Sequence, residues 1–301
     1  MEHLAEEIKH LKKEKNAVIL AHYYQPGDVQ DIADYTGDSL GLCFKAAETD
    51  ANLIVFAGVS FMAESAKLLN PGKKVLLTEK SAGCPMADMI TADKLREMKA
   101  RYPEAMVVCY VNSSAAVKAE SDICCTSSNA ARIVESLPAD RPIIFIPDKH
   151  LGQHVKDMTG CKIILWPGFC PTHQRFMPVE VAAARDAHPD SEILVHPETP
   201  KPIRDLADYV GSTGQIINYC GTSDAKEFII CTEAGICHEL HKRYPEKSFH
   251  VPTQLAVCPN MKQTSLQSVK NSLEMERYET TIDPETAEAA NRALQRMMDA
   301  G

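Results

Sequence analysis

The sequence predicts an α/β protein made of three doubly wound, Rossmann-like α/β/α units with parallel sheets, related by a pseudo-threefold axis around a central cavity. Three observations predict it. Three of the eleven cysteines are followed by proline, at Cys84-Pro85, Cys170-Pro171 and Cys258-Pro259, spaced 86 and 88 residues apart. Three strand-like segments end in a ring-bearing residue, a spacer and a polar residue: His22-Tyr23-Tyr24, Tyr110-Val111-Asn112 and His196-Pro197-Glu198. A hydroxyl stands 17 residues beyond each ring-bearing position, in Asp38-Ser39, Thr126-Ser127 and Ser212-Thr213, and the cysteines follow those positions by 62, 60 and 62 residues. Landmarks that recur three times with only two residues of slippage mark an internal repeat, and a repeat decides architecture before any local pattern does.

Within each unit the elements follow one order. A helix opens it, over 4–13, 92–100 and 179–187; the first carries Leu4, Ile8 and Leu11 at helical spacing. An apolar strand follows over 17–21, 106–111 and 192–196, then a loop rich in Gly, Asp and Ser and a second helix. A central strand comes next, over 53–56, 143–146 and 228–231, then another helix. The last strand leads to the Cys-Pro pair and contains Val75-Leu76-Leu77, Ile163-Ile164-Leu165 or Phe249-His250-Val251. Strands that alternate with helices and are apolar throughout belong to parallel sheets covered on both faces. The expected units are 1–88, 89–174 and 175–262, with 263–301 as a C-terminal helical closure. Thr264 to Glu274 resembles the opening helix of a fourth unit and would pack back on the first, closing a ring. Asp283-Pro284-Glu285 starts a final helix, with Asp as cap and Pro at the first helical position.

At 301 residues, 45% hydrophobic and 24% charged, the chain can bury a large core. Its net charge of -9 argues against a nucleic-acid or membrane-surface binder, which needs a basic face. The first residues have neither a basic nor an apolar leader region, and the longest apolar runs are strand-length. Eleven cysteines in such a chain point to a reducing, cytoplasmic setting with thiols kept for ligation or burial. No C-x-x-C pair occurs, which weakens a structural zinc site.

Ligands of open parallel sheets bind beyond the carboxyl ends of the strands. The triplets and the Cys-Pro pairs are both expected at such strand ends, so the pseudo-threefold arrangement would bring the three triplets and the three thiols to one cavity. Ser39, Ser127 and Thr213 fall at or near helix N-termini, where hydroxyls and free N–H groups suit carboxylate or phosphate. Three thiolates suit zinc or three irons of a 4Fe–4S cluster; their long separation and an open fourth position favour the cluster. The other eight cysteines read as buried small apolar residues. His173 stands three residues after Cys170, beside any metal held there, and Glu198 puts a carboxylate where the sister units have Tyr24 and Asn112. Asp148 and Glu233, just past central strands, are candidate supporting partners or loop caps.

At these residues the sequence resembles the quinolinate synthase family. The resemblance rests on Ala21-His22-Tyr23-Tyr24-Gln25, Gly37-Asp38-Ser39-Leu40, Gly83-Cys84-Pro85-Met86, Cys125-Thr126-Ser127-Ser128-Asn129, Cys170-Pro171-Thr172-His173, His196-Pro197-Glu198 and Gly211-Ser212-Thr213-Gly214, within about residues 16–280. It implies one oxygen-sensitive 4Fe–4S cluster on Cys84, Cys170 and Cys258, with one open iron acting as a Lewis acid. It implies condensation of iminosuccinate with dihydroxyacetone phosphate to quinolinate for NAD biosynthesis, the imine being supplied by an L-aspartate oxidase or dehydrogenase. Carried over by motif, His22, Ser39, Tyr110, Val111, Asn112, Ser127, His196, Pro197, Glu198 and Thr213 would bind substrate. Tyr24, His173 and Glu198 would move protons. The competing readings are another three-cysteine cluster enzyme of reductive or radical type, an iron–sulfur sensor, and a zinc-binding structural protein.

Overall fold

Burial of continuous apolar runs organises the chain into three four-stranded parallel sheets, each with helices on its faces. The computed structural model describes residues 2–300. The first unit contains α1 (Glu2–Glu14), β1 (Ala17–His22), α2 (Gly27–Ile32), β2 (Tyr35–Gly37), α3 (Ser39–Glu48), β3 (Leu53–Ala57), α4 (Ser60–Leu69) and β4 (Lys74–Leu77). The second repeats it with α5 (Ala92–Arg101), β5 (Met106–Tyr110), α6 (Ala115–Ala119), β6 (Ile123–Cys125), α7 (Ala130–Glu135), β7 (Ile143–Ile146), α8 (Lys149–Thr159) and β8 (Ile163–Leu165). The third has α9 (Pro178–Ala187), β9 (Glu192–Val195), α10 (Lys201–Arg204), β10 (Tyr209–Val210), α11 (Thr213–Thr222), β11 (Glu227–Cys231), α12 (Ile236–Arg243) and β12 (Ser248–His250). Strand order is β2-β1-β3-β4, β6-β5-β7-β8 and β10-β9-β11-β12, the same in each. The expected α/β class with repeated Rossmann-like units is what the chain adopts.

Each sheet also holds an edge strand that the periodicity did not suggest: β2, β6 and β10, of three, three and two residues. Strands so short give no alternation to detect. An aspartate one residue before or near each edge strand pins it. Asp34, Asp122 and Asp208 accept from the backbone N–H of Ile19, Val107 and Ile193 at 2.8, 2.7 and 2.8 Å. Their own N–H groups return to the carbonyls of the same three residues.

The cysteines lie seven, five and eight residues past the ends of β4, β8 and β12, on loops rather than at the strand ends. Three residues beyond each cysteine a single 3₁₀ turn begins, at Ala87, His173 and Met261. The cysteine carbonyl accepts from the N–H four residues on: Asp88, Gln174 and Lys262 at 3.1, 2.9 and 3.2 Å. Proline is the first residue inside the turn closed by that bond, two residues ahead of the 3₁₀ segment, where its fixed φ is right and no N–H is needed. That explains the recurring dipeptide.

Two further helices complete the molecule. α13 (Leu266–Met275) packs on α1, and Leu266, Val269 and Leu273 join Ile8 in covering one face of the first sheet. α14 (Pro284–Ala300) lies against α6, β6 and α4, bridging the first two units through buried Ala290, Ala293, Leu294 and Met297.

Candidate active site

The carboxyl ends of all three sheets face one cavity. The ring and polar members of every triplet line it: His22 and Tyr24, Tyr110 and Asn112, His196 and Glu198. So do the three hydroxyls, Ser39, Ser127 and Thr213, and the three thiols, Cys84, Cys170 and Cys258. The spacer residues differ. Val111 faces a small neighbouring hollow with Ser39 and Cys43, its N–H donating to the Cys125 carbonyl at 2.9 Å. Pro197 is buried off the cavity, its carbonyl accepting from Arg204.

Local structure sets each donor. His22 Nδ1 accepts from the Tyr24 N–H at 3.1 Å, and His196 Nδ1 from the Glu198 N–H at 3.3 Å. An accepting Nδ1 carries no proton, so the neutral rings bear theirs on Nε2. Burial lowers both imidazoles to about 3, leaving uncharged rings. Ser39 and Thr213 are the first residues of ten-residue helices, capped by Asp38 and Ser212. Ser127 sits in the turn before α7, whose first helical residue is Ala130. Asp38 also accepts from Ser212 Oγ and the Gly214 N–H, each at 3.3 Å, tying the first hydroxyl site to the third.

Glu198, 3% exposed, lines the cavity, as do Asp38 and Glu233. Its Oε2 lies 2.7 Å from His173 Nδ1, and Asn112 Nδ2 donates to Oε1 at 3.4 Å. Burial alone would raise this carboxyl, but the charge and hydrogen bond of His173 outweigh it and hold it at about 2. Tyr24 and Tyr110 move the other way: burial, then the Glu198 charge, pushes both phenols well above their ordinary value. The wall thus sets the carboxylate of Glu198 against buried phenols and imidazoles.

Burial also pushes the thiols up, Cys84 to about 12 and Cys170 and Cys258 in the same direction. Backbone N–H groups from the turns act against that at each sulfur, from Ala87, His173 and Met261. His173 Nδ1 stands 3.2 Å from Cys170 Sγ. Two buried carboxylates hold the cysteine loops. Asp148 Oδ2 accepts from the Cys170 N–H at 3.1 Å while its Oδ1 caps α8, and Glu233 Oε1 accepts from the Cys258 N–H at 3.0 Å. The equivalent position in the first unit, just past β3, is Val59. All eleven cysteines are free, and Cys43, Cys109, Cys124, Cys125, Cys220 and Cys231 are buried away from the cavity.

Sequence reasoning passed over Thr232 and Arg175. Thr232 bridges His173 and Tyr24 by 2.8 and 2.7 Å contacts, and Arg175 lines the cavity from the turn after Cys170. Aligning the residue after each central strand (Gly58, Pro147, Thr232) would have shown a hydroxyl in one unit alone. A second polar cluster, His188, Glu227 and His250, lies outside the cavity. Its two rings stack at 3.5 Å with 16° between planes, so their in-plane lone pairs run side by side and do not meet on one ion.

Three parallel α/β units closing on a cavity of thiols, imidazoles, phenols and carboxylates define an enzyme that works on a small molecule. Residues 6–299 match the family described as Quinolinate synthetase A protein, and the chain belongs to that family. It is 51% identical over 300 residues to the quinolinate synthase of Caldicellulosiruptor saccharolyticus, covering 99% of each chain. Against the quinolinate synthase of Methanoregula boonei it is 52% identical, covering 98% and 97%. Quinolinate synthase 2 of Methanosarcina acetivorans is 50% identical over 295 residues, with 98% and 95% covered. Among solved structures, a hydroxymethylbutenyl diphosphate reductase from Plasmodium falciparum aligns with a TM-score of 0.31 and 12% identity, too weak a likeness to argue from.

Proposed function

We propose that this enzyme makes quinolinate for NAD biosynthesis by condensing iminosuccinate with dihydroxyacetone phosphate, releasing phosphate and two waters. The observation that carries the reading is the meeting of all three thiols and all three hydroxyl positions in one cavity with Glu198. Three repeat units, 1–88, 89–174 and 175–262, would each supply one wall, with 263–301 closing the ring.

The donor set fits a 4Fe–4S cluster. Three soft sulfurs, each on a proline-started turn with N–H groups directed at it, come from separate loops and carry no disulfide. Without a cation their burial keeps them protonated, and a bound metal displaces those protons. Cys84, Cys170 and Cys258 would hold the cluster, whose open iron supplies Lewis-acid polarisation of a substrate oxygen or nitrogen.

The remaining work falls to the chain. Both substrates are dianions, and His22 Nε2, His196 Nε2, Asn112 and the hydroxyls of Ser39, Ser127, Thr213 and Tyr110 offer neutral donors to their carboxylates and phosphate. The N-termini of α3 and α11 add oriented N–H groups. Condensation, tautomerisation and dehydration need groups that both take and return protons; Glu198 contacts His173 directly, and His173 reaches Tyr24 through the Thr232 hydroxyl, for that role. Val111 and Pro197 would act by shaping backbone, since their side chains lie off the cavity. A cytoplasmic setting and an L-aspartate oxidase or dehydrogenase as imine source complete the proposal; no described helix is long and apolar enough to cross a membrane.

A second reading has one observation behind it. Cys170 Sγ, His173 Nδ1 and Glu198 lie within 4.8 Å of one another and would suit a single divalent ion. It leaves Cys84 and Cys258 unused. Anaerobically purified protein is expected to be brown, to hold about four irons and to convert the two substrates to quinolinate. Colourless protein with one zinc and no product would overturn the proposal.

A further inference from the structure

Charge is unevenly placed around the cavity. Its wall carries the carboxylates of Asp38, Glu198 and Glu233, and the chain as a whole has a net charge of -9. Arg175 is the one lysine or arginine among the described residues that line it. The carboxylates already have partners. Asp38 accepts from the N–H groups of Gly41 and Gly214, Glu198 meets His173, and Glu233 pairs with Lys262 at 2.8 Å. The Arg175 guanidinium makes no hydrogen bond or ion pair with the described residues, whereas every other described arginine has a partner.

The repeat sets Arg175 apart again. It stands five residues after Cys170, and the same offset gives Met89 after Cys84 and Gln263 after Cys258. Neither counterpart lines the cavity. The Met89 sulfur accepts from the Phe169 N–H at 3.3 Å, and Gln263 Oε1 accepts from Ser81 at 2.6 Å, so both side chains hold loops. Arg175 is fixed only through its backbone. It is the last residue of the 3₁₀ turn His173–Arg175, its N–H donates to the Thr172 carbonyl at 3.3 Å, and the next residue, Phe176, is buried. An anchored turn thus carries an exposed, unpaired cation to the rim of the cavity.

We propose that Arg175 binds the phosphate group of the triose phosphate at that rim. The inference rests on the quinolinate-forming reading of the cavity. A guanidinium offers a planar fork of N–H groups that meets two phosphate oxygens at once. The buried neutral donors His22, His196 and Thr213 suit the carboxylates, which stay with the product. The phosphate leaves as a free ion, so its place is beside solvent, where Arg175 is exposed. A dianion entering past three carboxylates is repelled, and a cation at the rim offsets that repulsion and draws the phosphate in.

The test uses anaerobically purified holoenzyme as wild type, Arg175→Gln and Arg175→Lys. KM is measured for each substrate with the other saturating, and inorganic phosphate is titrated calorimetrically. Arg175→Gln is expected to raise KM for dihydroxyacetone phosphate by roughly ten- to a hundredfold, the loss of a charge-assisted pair, and to leave KM for iminosuccinate unchanged. Phosphate affinity should fall in the same variant, and Arg175→Lys should keep part of both. KM does not depend on how much of the protein carries iron, so incomplete loading does not alter the comparison. Added salt should lower kcat/KM for dihydroxyacetone phosphate more in wild type than in Arg175→Gln. A wild-type KM for dihydroxyacetone phosphate in Arg175→Gln, an equal rise for both substrates, or an unchanged phosphate affinity would each overturn the proposal. Should the wild type make no quinolinate, the reading of the reaction fails by itself, and the phosphate titration still decides whether Arg175 holds a phosphate.

Discussion

His22 and His196 occupy the same place in two repeats and share one local device, an Nδ1 that accepts the N–H two residues on. The sequence showed the equivalence of the two positions, because the offset to Ser39 and Thr213 is the same. It did not show the tautomer, which depends on how the chain turns after the strand. Both rings are buried and lowered to about 3, so they stay neutral where an unfolded histidine would charge. Below the ordinary imidazole value of about 6.5 the unfolded chain binds more protons than the folded one, and stability falls as pH drops towards 3. Glu198, held at about 2, adds loss of the same sign below the ordinary carboxyl range. The urea midpoint should therefore decline between about pH 7 and 5, and decline less in His22→Gln; a flat midpoint in wild type would contradict this.

At the scale of the element, the Cys-Pro dipeptides had been expected at strand ends, and the structure puts them on loops that begin 3₁₀ turns. The difference has a simple cause: the apolar run that forms the strand ends before the loop, and the dipeptide is a turn signal, not a strand signal. Asp148 and Glu233 were legible as residues past central strands, but their partners were not. Each reaches a cysteine N–H more than twenty residues away, a contact made only when β7 meets β8 and β11 meets β12. Asp148→Ala would leave the N–H groups of His150, Leu151 and Cys170 without an acceptor and should cost about 2 kcal/mol. Denaturant unfolding of the cluster-free protein would measure it, and an unchanged midpoint would show that Asp148 does not support the loop. The edge strands β2, β6 and β10 stayed hidden for a related reason: two or three residues hold no pattern, and a carboxylate bond across sequence defines them.

For the whole molecule, closure is carried by the last two helices. α13 occupies on the first unit the kind of place that an opening helix takes, while α14 spans the seam between the first two units. Leu294 is 0% exposed there, and Leu294→Ala should cost about 3 kcal/mol. A thermal melt with an unchanged midpoint would mean the seam does not depend on α14.

The sequence by itself determined the threefold repeat, the parallel α/β class and the set of polar and thiol groups that travel with it. It could do so because equal spacing along the chain becomes equivalent position in space once each unit folds alike. Only the tertiary structure decided how those groups are paired. Glu198 with His173, His173 with Thr232, and Thr232 with Tyr24 are contacts between units or across long sequence distances, and no local pattern encodes them. The recurring Cys-Pro pairs mark where chemistry gathers. Glu198 and Thr232, which break the repeat, are the residues through which those pairings run.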